Sequence, residues 1–380
     1  MSQPTSPSPV LVTGGTGFLG EHLVRALRKR GVPVRVLCRE ATPELIELGA
    51  SIYEGDLLAG LSRTSPIPEA AGQEQLRHPH AHPKSAAPVA LADEPDATDA
   101  AHVDRIAAAL DGVREVYHLA GMVSRDPEKT QAMMQLHVDG TRRVLYACKR
   151  AGVRRVVLAS TSGTIAISKH AEPIADESWP YPVDLCGDWP YYLSKIYQEK
   201  LALRLAASLG LELVVVNPSL LLGPGDRRGS STTDVRKFLC GEIPVVPSGG
   251  VNFVDVRDVA EACIAAMARG KSGERYLLGG PNWTFREFLG RLARMSKVDG
   301  PWLRVPSRFS DALTRAVRAV DHAYRHRGHT APVDRISFEM AQHFWYCDSG
   351  KAQRELGFLA RDPAETLDDT IRDVRAGLRY

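Results

Sequence analysis

The chain has 380 residues, of which 44% are hydrophobic and 24% charged, with a formal net charge of +3. That length exceeds the usual single core and implies two lobes or one elaborated domain. So small a net charge argues against a nucleic-acid binder, and six scattered cysteines without a CxxC pair argue against a zinc site or disulfide framework.

The opening "MSQPTSPSPV" lacks the basic and apolar regions of a signal peptide, and no apolar run approaches the ~20 residues that span a bilayer. A cytoplasmic protein without a transmembrane segment is expected. Residues 1–8 read as a disordered polar tail. "PVLVT" (9–13) predicts a strand, "GGTGFLG" (14–20) a glycine turn, "EHLVRALRKRG" (21–31) a helix and "PVRVLCR" (33–39) a second strand. This is a βαβ unit.

The alternation continues with strands at 50–56, 114–121, 154–160 and 211–218, and helices at 104–112, 129–151 and 191–209. The fold class that follows is α/β, a doubly wound parallel (Rossmann) sheet. Residues 59–100 interrupt it with six prolines and "HPHAHP" (78–83). Composition reads them as a disordered insertion; the histidines leave weak metal binding open. Beyond residue 222 come a turn-rich connection (223–234), a strand and helix (251–267) and a mostly helical stretch (281–380). The predicted division is a dinucleotide-binding domain at 9–222, to which 251–280 returns, and a smaller substrate lobe at 223–250 and 281–380.

A glycine motif between a strand and a helix has a specific chemistry. Gly14, Gly15, Gly17 and Gly20 satisfy both GxGxxG and GxxGxxG. Such a turn brings backbone N–H groups at a helix start against a pyrophosphate. Gly14, Thr16, Gly17, Phe18, Leu19 and Gly20 are the candidate cofactor contacts here. At the end of the second strand an NAD site carries a carboxylate, whereas this chain has Cys38 and Arg39. Arg39 can pair with a 2′-phosphate, so NADP(H) is expected ahead of NAD(H); a surface arginine is the other reading. Asp56, with Leu57 beside it, faces two readings, an adenine contact or turn chemistry.

"WPYYLSK" (189–195) places Tyr191 four residues and Tyr192 three residues before Lys195. Both spacings bring a phenol near the ammonium on one helix face. A nearby cation lowers a phenol's pKa and fits it to move a proton. Spacing alone leaves both tyrosines open. "ASTSGT" (159–164) supplies hydroxyls at the end of the fifth strand.

TGxxGxxG, the serine cluster and the Tyr191–Lys195 pair twenty-nine residues beyond Ser162 together resemble the extended short-chain dehydrogenase/reductase family. The likeness is to its dihydroflavonol reductase and 3β-hydroxysteroid dehydrogenase group, and to a hopanoid-associated epimerase-like branch. "HLAG" (118–121), "VVNPSLLLGPGD" (215–226), "FVDVRDVA" (253–260), "GERYLLGG" (273–280) and "DSGKAQRELGF" (348–358) extend it over nearly the whole chain. The resemblance implies that Tyr191 is the acid/base, that Lys195 tunes it and holds the nicotinamide ribose, and that Ser162 orients the substrate oxygen, with Thr164 assisting. Ser160 and Thr161 then shape the turn. Ala120, Gly121 and Pro218 match cofactor-lining positions. His137 stands where the family commonly has asparagine, which puts the family's water-mediated proton path in question.

The implied function is NADP(H)-dependent reduction of a ketone or aldehyde, or oxidation of the alcohol, on a small apolar substrate. A nucleotide-sugar epimerase or dehydratase and a non-catalytic NADP(H) sensor are the alternatives. Trp179, Tyr181 and Trp189 are read either as substrate-stacking or as packing residues, Asp176 and Glu177 as solvated loop acids, and Arg227, Arg228, Arg236 and Lys237 as a diphosphate site or a solvated face. Residues 307–327 put Phe309, Leu313, Val317, Val320 and Tyr324 on one stripe flanked by Arg308, Arg315, Arg318, Arg325 and Arg327. That stripe is read as a lid helix or a membrane-surface contact. The family resemblance implies a homodimer packed through helices.

Overall fold

A computed structural model describes residues 8–59, 97–301, 303–304, 310–326 and 334–378. The bulk of the expected 59–100 insertion, with its histidines, and residues 1–7 lie outside them. The chain forms two compact units. The first holds residues up to Ser160, Pro190–Val216 and Ala260–Arg275; the second holds Thr161–Trp189, Asn217–Val259 and Tyr276 onward. This partition differs from the one drawn from sequence, because residues 161–189, 217–222, 251–259 and 276–280 fall in the second unit.

The strands are β1 (Val10–Thr13), β2 (Val34–Cys38), β3 (Ser51–Glu54), β4 (Glu115–His118), β5 (Arg155–Ala159), β6 (Glu212–Pro218), β7 (Leu220–Leu222), β8 (Val245–Val246), β9 (Gly250–Asp255), β10 (Arg275–Leu278), β11 (Asn282–Thr284) and β12 (Leu303–Arg304). The main sheet runs β10-β6-β5-β4-β1-β2-β3, and every pairing from β6 through β3 is parallel. This is the doubly wound order, which reverses between β1 and β4 and opens a ligand crevice at their carboxyl ends. Runs such as Val10–Thr13 and Val156–Ala159 are buried throughout, as strands covered on both faces must be.

The first helix spans Phe18–Lys29 and buries Leu19, Leu23, Val24 and Leu27. It begins three residues earlier than periodicity suggested, so Phe18, Leu19 and Gly20 form its first turn. A helix at Pro43–Glu47, absent from the sequence reading, buries only Leu45; one anchor leaves little periodic signal. The 129–151 helix is two α segments, Thr130–Met134 and Gly140–Ala151, joined by a π-helical turn at Gln135–Asp139.

One arginine fastens both flanks of the interrupted region. Arg143, 2% exposed, donates through Nη1 to the carbonyls of Leu57 (2.8 Å) and Ala59 (3.0 Å) and through Nε to Asp99 (2.8 Å). Asp99 lies in the first turn of the helix Ala97–Ala109, whose last carbonyl accepts from Arg35 at 3.0 Å. The flanks are therefore tied to the core independently of the chain between them.

The second unit carries two small sheets, β11-β9-β7 and β12-β8. β9 thus belongs to a small sheet of the second unit, whereas the sequence reading returned 251–280 to the dinucleotide-binding domain; the helix after it, Val256–Arg269, passes back to the first unit at Ala260. Residues 281–380 accordingly hold strands as well as helices. Phe253 packs on Trp283 and Phe288 in the core of this unit. The turn after Gly225 winds around Asp226, whose carboxylate accepts from Ser230, Ser231 and Thr232.

Helix Ser310–His326 is the described part of the 307–327 stripe; Phe309, Arg308 and Arg327 lie outside the described residues. Arg318 binds Glu339 at 2.7 Å, and Asp321 pairs with Arg335 at 3.4 Å. Leu313, Val320 and Tyr324 are 37%, 42% and 42% exposed. No helix among the described residues is long and apolar enough to cross a membrane.

Arg143→Ala strips the half-buried Asp99 carboxylate and two carbonyls of their buried donor. Urea unfolding is expected to show a loss of roughly 3–5 kcal/mol; a loss under 1 kcal/mol would show that the flanks hold without it.

Candidate active site

The glycine turn is shaped by contacts that only glycine permits. Gly14 has φ +71°, and a Cβ there would stand 2.7 Å from the backbone of Leu119 and Ala120. A Cβ on Gly20 would stand 2.1 Å from the Gly14 carbonyl oxygen. The Gly17 N–H closes the turn on that same oxygen at 3.0 Å. Gly17 then caps the helix without a side-chain hydrogen bond. A backbone cradle at an uncapped helix start, beside the end of β4, fits a dinucleotide pyrophosphate. Thr16 and Phe18 are half-buried in it, and the Phe18 ring meets His22 edge-on at 5.8 Å.

The two residues expected on the nucleotide side are more open. Arg39 and Asp56 are exposed at the ends of β2 and β3. Asp56 accepts from the amide of Leu58 at 2.9 Å, so its turn role is present. Leu57 packs its side chain into the main core instead of a ligand surface.

Helix Pro190–Leu209 carries the pair that spacing singled out. Lys195 is 5% exposed. Its Nζ donates to the carbonyl of Ala159, at the end of β5, and to Oε1 of Gln198, each at 2.9 Å. A Cβ on Gly121 would lie 3.5 Å from that nitrogen, in ordinary contact. Burial lowers Lys195 from 10.5 to about 8, and the Glu199 carboxylate opposes the fall. Lys195 therefore stays cationic at neutral pH. The Tyr191 ring meets His137 edge-on at 6.0 Å and Tyr192 at 5.0 Å.

Gln198 is fixed in turn. Its Nε2 donates to Thr141 Oγ1 at 2.8 Å, and that oxygen lies 2.9 Å from His118 Nε2. The other nitrogen of His118 lies 2.7 Å from Thr13 Oγ1 at the end of β1. All four side chains are fully buried. Burial first, then the Lys195 charge, lowers His118 to about 3; burial, Lys195 and then His118 hold His137 well below 6.5. None of Gln198, Thr141, Thr13 or His118 was picked from sequence. The available signal was modest: Gln198 and Glu199 stand three and four residues beyond Lys195, on its helix face.

Ser162 and Pro218 belong to the second unit. Ser162 is buried in a short turn, Ser162–Thr164, and Thr161 caps it by accepting from Gly163. Among the described residues Ser162 makes no side-chain hydrogen bond, whereas Ser160 donates to Glu199 at 2.6 Å and Thr164 donates to the Thr161 carbonyl at 2.9 Å. Thr164 also accepts from Asn217 at 3.0 Å, so its hydroxyl is already committed. Pro218 ends β6, buried.

One sequence reading on this side needs correction, and another is narrowed to one of its two alternatives. Glu177 is not solvated: it accepts from the Leu277 amide at 2.8 Å, and burial raises its pKa. Trp189 is a packing residue, 2% exposed and stacked on Trp345 at 5.8 Å.

A model of the NAD-dependent epimerase/dehydratase family matches residues 10–279. The chain belongs to that family. It lies in the extended short-chain dehydrogenase/reductase group, and it is an NAD(P)-dependent oxidoreductase acting at a carbonyl or CH–OH carbon. It is 29% identical to sterol demethylase protein B of Methylococcus capsulatus over 95% of this chain and 96% of that one. It is 28% identical to dihydroflavonol 4-reductase of Zea mays over 79% of this chain and 76% of the relative. The crystal structure of gox2253 superposes with a TM-score of 0.75 at 27% identity, covering 98% and 99% of the two chains.

The buried imidazoles make stability pH-dependent with a definite sign. His118 is near 3 in the folded state and 6.5 when unfolded, so the unfolded chain takes up more protons on acidification and stability falls below pH 6.5. Between pH 6.5 and 4.5 the loss from this residue is roughly 2 kcal/mol. Urea unfolding at the two pH values should show His118→Gln losing less than wild type; equal losses would show that His118 is not buried neutral.

Proposed function

We propose that the protein is an NADP(H)-dependent carbonyl reductase, or alcohol dehydrogenase in reverse, for an apolar substrate. The observation that carries this reading is the buried Lys195 ammonium, held by Ala159 and Gln198 one helical turn beyond Tyr191. When bound, the nicotinamide supplies or accepts the hydride. Tyr191 gives its phenolic proton to the carbonyl oxygen as the substrate carbon is reduced, and takes it back in oxidation. Lys195 stabilises the phenolate, and its remaining N–H holds the nicotinamide ribose. The Ser162 hydroxyl donates to the same substrate oxygen, sharing its developing charge.

Gly14, Thr16, Gly17, Phe18, Leu19 and Gly20 would hold the pyrophosphate, Asp56 the adenine side, and Ala120, Gly121 and Pro218 the nicotinamide. Arg39 selects a 2′-phosphate by charge. The apolar substrate rests on the names of relatives that act in sterol and dihydroflavonol chemistry. A nucleotide-sugar epimerase or dehydratase is the second reading, favoured by the family's own description; it predicts no net NADPH consumption.

A panel of apolar ketones and aldehydes, followed by NADPH absorbance, tests the reaction. Tyr191→Phe should lower kcat by about 100-fold or more, while Tyr192→Phe stays within about threefold. Full turnover by Tyr191→Phe would overturn the assignment.

Cofactor choice has its own test. The KM for NADPH should lie well below that for NADH, and Arg39→Ser should raise the former by about tenfold, the loss of one charge-assisted pair, and leave the latter unchanged. A wild-type preference for NADH refutes the 2′-phosphate role.

A further inference from the structure

We propose that His137 is a positioning residue, a neutral clasp that holds the turn carrying Tyr191 against the loop after β4, and not a member of a proton path. The inference rests on the reading of Tyr191 as the acid/base.

The argument follows from donors and acceptors. The Met122 N–H can only donate, and it points at His137 Nε2 at 3.0 Å. That nitrogen is therefore bare, and the neutral ring carries its hydrogen on Nδ1. Nδ1 lies 2.8 Å from Ser194 Oγ and so donates to it. The Ser194 hydroxyl in turn donates to the Tyr191 carbonyl at 2.7 Å. Every direction in this chain is forced, from the Met122 amide through the ring to the backbone of Tyr191. Both nitrogens are spent, so the ring has no lone pair or N–H left to pass a proton.

The surroundings agree. His137 is fully buried. Lys195 and His118 both face it, from the helix and from β4, and a Cβ on Gly121 would come within 3.2 Å of its Nε2. A second positive charge there would be opposed by Lys195, as its lowered pKa reflects. The ring also meets the Tyr191 ring edge-on. His137 sits in the π-helical turn Gln135–Asp139, where the helix is locally rewound, a feature common at functional sites.

The test separates the two nitrogens by isosteres. Asparagine places an amide near the Nδ1 position and glutamine near Nε2; phenylalanine keeps the ring contact and neither hydrogen bond. In ¹⁵N-imidazole NMR, His137 should show the neutral Nδ1–H tautomer from pH 5 to 9. With the carbonyl compound that wild type reduces fastest, His137→Phe should lower kcat about tenfold or more with the KM for NADPH within about twofold. His137→Asn should keep more turnover than His137→Gln. Ser194→Ala should reproduce the phenylalanine loss, and the double variant should lose no more than His137→Phe alone. An Nε2–H tautomer, additive losses in the double variant, or wild-type turnover in a folded His137→Phe protein would each overturn the clasp. Tyr191→Phe in the same assay separates the two ideas: if it keeps turnover the acid/base reading fails, and if it is inactive while His137→Phe is normal only the clasp fails.

Discussion

A lysine ammonium that is almost wholly removed from water must be given acceptors, or it loses its proton. Lys195 finds them in the Ala159 carbonyl and the Gln198 amide, and much of the first unit's interior is arranged around that need. Gln198 can present its oxygen only because Thr141, on the neighbouring helix, takes its nitrogen. Thr141 is in turn fixed by His118, and His118 by Thr13. One run of hydrogen bonds thus spans the ends of β1, β4 and β5. These are the strand ends where a doubly wound sheet opens to its ligand.

The same charge decides the state of its neighbours. Two imidazoles in one low-dielectric region with an ammonium cannot all be cationic. Both histidines are held neutral, by burial first and by Lys195 second. Glu199 supplies the compensating carboxylate, itself steadied by Ser160 and by Arg275 at 3.4 Å. The network is therefore close to fully satisfied, which is the condition under which buried polar groups give rigidity instead of cost. In the proposed reaction a rigid Lys195 ammonium would act on the Tyr191 phenol without reorganising.

Much of this was legible in the chain because it is local. A glycine turn between a strand and a helix, Tyr191 four residues before Lys195, and β-branched runs between helices are all patterns within short windows. The residues that hold Lys195 were not, because they come together through tertiary register: Thr13, His118 and Thr141 are separated by more than twenty residues at each step. Glu177 was misread for the same reason, since nothing nearby in sequence announces the Leu277 amide. β9 misled differently. Its six residues are all buried, so it has the texture of a main-sheet strand, while its partners β7 and β11 are three residues each and too short to signal a second sheet. His137 was visible as a departure, but its meaning depended on a tautomer that only Met122 and Ser194 define.

Arg143 shows how such a fold absorbs an interruption. Closing a loop costs entropy that grows only with the logarithm of its length, about 0.6 kcal/mol per doubling. The demand falls instead on the two ends, which must be held where the uninterrupted fold would put them. Arg143 meets it with one planar group: two carbonyls on the outgoing side and the Asp99 carboxylate on the returning side. A lysine could not match that fork. The outgoing side begins at Asp56, the expected adenine contact, and Leu57 beside it. The anchor that keeps the interruption from loosening the core thus also holds the turn that carries the proposed adenine contact.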